Sequence, residues 1–186
     1  LNSSRKLKCC LIEKITSTIN LHSEIGFSVK HMMFTTVKGT FKDFSVQINS
    51  GSDFFDETAF QFSAAIQSID TANEDRDNHL KSADFFDAEQ YPQLRFNSIS
   101  FRQLEGQKYE LIGELQIKKV VKEIRLDVEA SEVMTDPWGN SRIALRMQTA
   151  INRKDWGLNW NAALETGGVL VSEEVNLSIE AQFVAS

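Results

Sequence analysis

The sequence predicts an all-β chain of eight long antiparallel strands whose apolar faces pack together, interrupted by one short helical excursion. Three observations carry this. Apolar and polar residues alternate with period two over most of the chain, and turn-forming residues separate most of the alternating runs. The one clear departure, near residue 72, opens on helix-capping chemistry. Alternation means that each strand has one wet and one dry face, the antiparallel habit; parallel strands covered by helices are apolar on both faces.

In chain order, Ile25, Phe27, Val29 and His31 alternate with Glu24, Gly26, Ser28 and Lys30. A less regular strand follows over residues 40–49, ended by Asn49-Ser50-Gly51-Ser52-Asp53. Phe60, Phe62, Ala64 and Ile66 form the next row. Thr71-Ala72-Asn73-Glu74 then reads as a capping box, with Thr71 taking an orphan N–H and Glu74 reaching back. It predicts helices over about 72–80 and 83–90, the second capped by Ser82 and the pair ended by Pro92. Residues 93–104 are a second irregular strand, closed by Glu105-Gly106-Gln107. Leu111, Gly113, Leu115 and Ile117 lead to a turn at Lys118-Lys119-Val120, and Ile124, Leu126 and Val128 to another at Asp136-Pro137-Trp138-Gly139-Asn140. Ile143, Leu145, Met147, Thr149 and Ile151 precede a long loop over 155–168. Val175, Leu177, Ile179, Ala181 and Phe183 make the last strand. Such strands bury their dry faces in a closed barrel or a sandwich. At eight strands a barrel either fills with side chains or encloses one small ligand, and the count does not choose.

Composition narrows the class. At 186 residues, 41% hydrophobic and 25% charged, the chain suits one domain and is too apolar to stay disordered. No stretch approaches the ~18 apolar residues of a membrane-spanning helix. A net charge of −6 argues against a nucleic-acid partner. The first twenty residues are the exception, with Arg5, Lys6, Lys8 and Lys14 against Glu13, so residues 1–18 read as a basic segment ahead of a single domain at 19–186. Glu13 and Lys14 interrupt any signal-like apolar stretch, and the expectation is a cytoplasmic protein, or a periplasmic one if an export signal lies upstream. Cys9 and Cys10 are adjacent, which disfavours an ordinary disulfide, and read as two reduced thiols.

No residue pattern supports catalysis or a metal. His22 and His31 lie nine apart on one expected strand, on opposite faces and roughly 30 Å from each other, and His79 lacks a His or Glu four residues away. Residues 73–79 loosely resemble a calcium loop but lack its central Gly and its twelfth-position Glu, so a solvated helix face is expected. Glu165-Thr166-Gly167-Gly168-Val169 lacks the Lys and helix of a phosphate loop. No carboxylate pair, Asp84 with Asp87 or Glu173 with Glu174, is placed across a cleft by sequence. His31, on a dry face, reads as a hydrogen-bonded core residue or a polar contact for a ligand. The thirteen Phe point elsewhere. Phe34, Phe41, Phe44, Phe54, Phe55, Phe85 and Phe86 gather at strand ends and the helical excursion, as end packing, as an association surface, or as an apolar mouth over a cavity.

Several blocks resemble one known family. They are His22-Ser23-Glu24-Ile25-Gly26-Phe27-Ser28-Val29-Lys30-His31-Met32-Met33, Val37-Lys38-Gly39-Thr40-Phe41, Ser68-Ile69-Asp70-Thr71, residues 73–87, Tyr91-Pro92, residues 136–142, 151–158 and 165–168. In this order, from about 20 to 184, they are similar to the YceI-like family. The resemblance implies an extended eight-stranded antiparallel barrel, lipocalin-like, around an elongated apolar channel. It also implies binding of polyisoprenoids, isoprenoid quinones or similar amphiphiles, frequent dimerisation and no catalytic residues.

Resemblance and parity together nominate Ile25, Phe27, Val29, His31, Phe60, Phe62, Leu111, Leu115, Leu126, Leu145 and Met147 as channel wall. Phe34, Arg76, Phe85 and Phe86 are nominated for the mouth or lid, with His31 and Arg76 as headgroup contacts. A bound isoprenoid, at about 0.8 kcal/mol per buried CH₂, needs no strong polar anchor. The expected function is therefore carriage or storage of a long-chain isoprenoid lipid by a non-enzymatic homodimer that needs no other cofactor. The alternatives are a ligand-free protein-interaction module and a lipid-modifying enzyme using His31. Gly39 and Gly113 are expected at bulges or bends, and Asn152 and Asp155 as organisers of the loop that follows.

Overall fold

The computed structural model describes residues 23–49, 58–162 and 170–185. The expectations for Cys9, Cys10, His22, Phe54, Phe55, the turn at 50–53 and the glycines at 165–168 lie outside the described residues.

The strands are β1 (Glu24–His31), β2 (Thr35–Phe41), β3 (Phe44–Asn49), β4 (Ala59–Ala65), β5 (Ile69–Asp70), β6 (Gln93–Glu105), β7 (Lys108–Ile117), β8 (Val120–Ala130), β9 (Met134–Thr135), β10 (Ser141–Asn152) and β11 (Val171–Ala185). All belong to one antiparallel sheet in the order β3-β4-β6-β7-β8-β10-β11-β1-β2-β5, with β9 beside β10. The all-β expectation is met, and the eight expected runs are all strands. The run at 40–49 belongs to two of them, β2 and β3, because the chain changes partner at Lys42-Asp43: Phe41 pairs with Ile25, whereas Phe44 pairs with Ala64.

That change of partner curls the sheet. β2 and β3 lie near opposite ends of the strand order, yet two residues join them. Likewise one 3₁₀ turn (Ile66–Ser68) connects β4 to β5. Lys42 N–H donates to the Ser68 carbonyl (3.1 Å) and Ala65 N–H to the Asp43 carbonyl (2.9 Å), tying the two edges together. A flat sheet cannot satisfy such short connections, so it rolls into a half-barrel with its apolar faces inward.

The helical excursion differs from its sequence reading. There is one helix, α1 (Glu74–Lys81), and its cap is Asn73, whose side chain accepts from Arg76 N–H (2.9 Å). Thr71 is not the cap. Its hydroxyl donates to Asp77 Oδ1 (2.5 Å), and Arg76 donates back to its hydroxyl and carbonyl (2.7 Å each). Ala72 intervenes at φ 58°, a left-handed position that redirects the chain before α1 starts. Ser82 closes α1 instead of opening a second helix, and residues 83–91 are successive turns. Asp87 at φ 53° and the Ala88 N–H to Lys81 carbonyl bond fold that stretch back against the helix end. The stretch after β10 begins with a 3₁₀ turn, Arg153–Trp156, closed by Gly157 in the left-handed region (φ 76°).

The candidate apolar interior

The concave face of the sheet collects most of the expected wall. Ile25, Phe60, Phe62, Leu111, Leu115, Leu126, Leu145 and Met147 are buried there, and Phe27 packs half-buried against them. Cross-strand register explains the convergence: Leu111 faces Leu126, Met147 lies between Val128 and Ile179, and Ile25 faces Ile179. Val29 and His31 stand farther out, half-exposed near the end of β1, where the Thr35 hydroxyl donates to the His31 carbonyl (3.0 Å).

The same face contains aromatic residues that alternation did not nominate. Phe62 stacks on Phe96 (5.2 Å between centroids), Phe60 meets Phe101 edge-on (4.8 Å), and Phe101 stacks on Tyr109 (5.1 Å). Phe96 and Phe101 are five residues apart, so strict parity puts them on opposite faces. A bulge between Ser98 and Ser100 resets the register, pushes Ile99 to solvent and returns both rings to the interior. The only signal for this in sequence is the irregularity of the run. Gly113 lies opposite that bulge. A Cβ there would stand 2.4 Å from the Phe96 ring and 2.5 Å from the Asn97 carbonyl, so the glycine is a packing requirement. Gly39 serves similarly under Phe27, on a regular stretch of strand without a bulge.

One end of the interior is covered by the helical excursion and the segment after β10. Phe85 is buried, and its ring lies 5.2 Å from His79 and 5.4 Å from Trp160, with His79 4.6 Å from Trp160. Phe86 packs partly buried against the core. Lys118, in the two-residue β7–β8 turn at φ 54°, holds this cover by donating to the Phe85 carbonyl (3.0 Å). Arg76 spends its guanidinium on Thr71, and Phe34 is 88% exposed on the β1–β2 turn. The four nominated mouth residues are therefore not one cluster: Phe85 and Phe86 lie on the cover, Arg76 locks the approach to α1, and Phe34 points to solvent.

Two buried residues of the cover escaped the sequence reading. Trp156, in the 3₁₀ turn after β10, reaches inward and donates its indole N–H to the Leu115 carbonyl of β7 (3.0 Å). Arg153, 3% exposed, donates to the carbonyls of Ser172 (2.9 Å), Trp160 (2.9 Å), Val171 (3.4 Å) and Leu158. Burial lowers its pKa from the usual arginine value, partly offset by nearby Glu173. Asn152 organises the loop as expected, accepting from Lys154 N–H (3.0 Å), while Asp155 pairs with Lys122 (3.3 Å) on β8.

The Asp136 turn lies at the other end of β10. Burial alone would push its carboxyl up. Bonds from the Asn140 side chain and N–H, Arg142 and the Trp138 N–H overcome this and hold it far below the usual carboxylate range. A depressed pKa stabilises the folded turn fully above the ordinary Asp value, about 3.9, and loses that contribution as pH falls through the folded value. Backbone NMR order parameters at Trp138 and Asn140 should therefore hold through about pH 4, where a free Asp takes up its proton, and fall only well below it. In Asp136→Asn they should be low, and nearly independent of pH, from the outset. An open cleft of about 340 Å³ between β8, β10 and β11 is lined by both charged and apolar groups, including Glu129, Arg146, Glu180 and Leu145. Among the described residues, no three His, Cys, Asp or Glu side chains converge as a metal site, and no helix is long and apolar enough to cross a membrane.

Comparison with known proteins agrees with this architecture. The model of the YceI-like domain matches residues 18–183. A UPF0312 protein of Staphylococcus epidermidis is 40% identical over 166 residues, covering 88% of this chain and 93% of its own. The crystal structure of a Campylobacter jejuni YCEI protein superposes with a TM-score of 0.72 at 30% identity, over 84% of this chain and 90% of that one. A polyisoprenoid-binding domain from Saccharophagus degradans superposes at 0.68 over 93% of this chain and all of its own; at 13% identity it shows the shared fold.

Proposed function

Since this chain belongs to the YceI-like domain family, we propose that it binds a hydrophobic ligand in the interior of its curled sheet, specifically a long-chain isoprenoid lipid such as a polyisoprenoid or isoprenoid quinone, and carries or stores it without chemical conversion. The observation that carries the reading is the continuous apolar inner face, contributed by strands all round the sheet and rich in Phe. The Saccharophagus degradans neighbour, described as polyisoprenoid-binding, supports the ligand class. Burial of apolar chain at about 0.8 kcal/mol per CH₂ would suffice for retention, which suits a wall with few polar side chains. His31 and Arg76 offer no catalytic arrangement: the first is half-exposed at a strand end and the second is engaged with Thr71. Homodimerisation is part of the proposal and is read by light scattering.

Native mass spectrometry and organic extraction of freshly purified protein should release one long-chain apolar species. Met147→Trp, which adds bulk at a fully buried wall position, should reduce the amount recovered at least tenfold while a folded β spectrum is retained. Protein that never yields such a ligand, and does not take up an added polyprenol or quinone, would refute the reading.

A further inference from the structure

The β1–β2 turn has no role in the interior and is built against its own backbone preference. His31 and Phe34 close it through the Phe34 N–H to His31 carbonyl bond (3.2 Å), with Met32 and Met33 at φ 51° and 62°. Two-residue turns with both central residues in the left-handed region favour Asn-Gly, because a Cβ there is strained. Here the positions are filled by methionines, and Met32, Met33 and Phe34 are 53%, 71% and 88% exposed. Neither local conformation nor core packing accounts for three large apolar side chains at this tip.

Charge indicates the partner. From Ile25 to Lys42 the hairpin contains Lys30, Lys38 and Lys42 and no Asp or Glu, in a chain of net charge −6. Lys30 and Lys38 occupy the outer face of the two strands, in register with Thr36 and Ser28. Lys42 pairs with Asp70 (3.4 Å). Of the acids on the adjacent strand, Glu173 and Glu174 lie in the β11 bulge with Glu173 bound by Lys154, and Glu180 lies at the far end of β1, opposite Glu24, and is bound by Arg146. A tip of three side chains is far below the ~800 Å² per partner of a stable protein interface. It is suited to wedging into lipid headgroups, where apolar insertion and basic flanks act together. The backbone also suits this, because the Met32 and Phe34 N–H groups are already bonded, to the Leu170 (2.7 Å) and His31 carbonyls. A second exposed apolar turn among the described residues, with Val133, Met134 and Trp138, neighbours Glu132 and Asp136 and has no Lys or Arg between Glu129 and Ser141.

We propose that the Met32-Met33-Phe34 tip docks this protein onto anionic lipid bilayers, with Lys30 and Lys38 holding the hairpin against the charged surface. This goes beyond ligand binding and is independent of whether the interior holds a lipid.

The test uses vesicles of phosphatidylcholine with and without phosphatidylglycerol. The full chain should co-sediment with the anionic vesicles at least tenfold more strongly than with the neutral ones. The triple variant Met32→Asn, Met33→Gly, Phe34→Ser should lose that binding at least tenfold, with its melting temperature unchanged or raised because the turn gains its preferred residues. Lys30→Gln with Lys38→Gln should weaken binding several-fold and flatten its salt dependence. A Trp at position 34 (Phe34→Trp) should shift its emission to the blue on anionic vesicles. The proposal is overturned if the unmodified chain ignores anionic vesicles, if the triple variant binds them equally, or if tip-dependent self-association appears in their place. Lipid recovered from the interior of the triple variant should match the parent; this readout separates failure of docking from failure of the carrier reading.

Discussion

Arg153→Met should be the most damaging conservative-volume substitution among the residues of the interior's cover, with an expected loss of about 3–5 kcal/mol, because several carbonyls lose a charged donor at roughly 1–3 kcal/mol each. The guanidinium is the common donor for four carbonyls spread from Leu158 to Ser172. Methionine fills similar space and donates nothing, so the Leu158, Trp160 and Ser172 carbonyls lose this donor, while the Val171 carbonyl keeps the Asn161 amide (2.7 Å). For a domain of this size the loss corresponds to a fall in melting temperature of roughly 6–20 °C. Arg153→Lys should recover only part of it, because an ammonium lacks the planar fork that reaches acceptors on both sides. Urea denaturation gives the free energies, and amide exchange should show Trp160, Val171 and Ser172 loosening before the rest of the sheet. A methionine variant within 1 kcal/mol of the parent (a limit below the typical mutational effect) would mean that the carbonyls are satisfied without Arg153.

Trp156→Ala should cost a similar amount, about 3–5 kcal/mol, by a different mechanism. The indole is 2% exposed and reaches the Leu115 carbonyl on β7, two strands from β10 in the sheet, so its removal leaves a cavity and takes a donor from that carbonyl. Trp156→Phe separates the two effects: it retains most of the volume and loses only the hydrogen bond, for about 1 kcal/mol. Equal losses in the two variants would show that the hydrogen bond, and not packing, carries the effect. Fluorescence offers a second measurement, since Trp156 is buried and Trp138 is 80% exposed. Losing Trp156 should remove the bluest part of the emission and leave that of the half-buried Trp160 and the exposed Trp138. On the carrier reading, the alanine variant should also release its lipid faster, because the indole helps close one end of the interior.

Period-two alternation was enough to read β1, β4, β7, β8, β10 and β11 and the inward side of each, because side-chain parity is a local property of an extended backbone. It failed where the backbone inserts a residue or changes partner. Phe96 and Phe101 share a face only because Ile99 bulges out, and Phe41 and Val46 are both buried only because Lys42-Asp43 lies between two strands. Around α1, sequence located the helix but misassigned its cap. Thr71 and Asn73 are both plausible acceptors locally, and the Arg76 and Asp77 bonds to Thr71 leave Asn73 to cap.

By itself, then, the sequence determined an antiparallel all-β chain, the apolar face of most strands, the turn at Asp136 and, through its motif blocks, the family. All of these depend on neighbours a few residues apart. The resemblance implied a barrel, but alternation left barrel and sandwich open, and the cause of the curl, two short connections between strands at opposite ends of the order, is visible only in the tertiary structure. It alone placed Arg153 and Trp156 under the cover, because their partners are carbonyls, and every residue carries one. Among the described residues it also turned the Phe-rich composition into two distinct features: rings packed on the inner face, and one phenylalanine left in water at a strained turn beside two methionines. Strand parity could not separate them, because burial depends on what the rest of the fold brings against each ring.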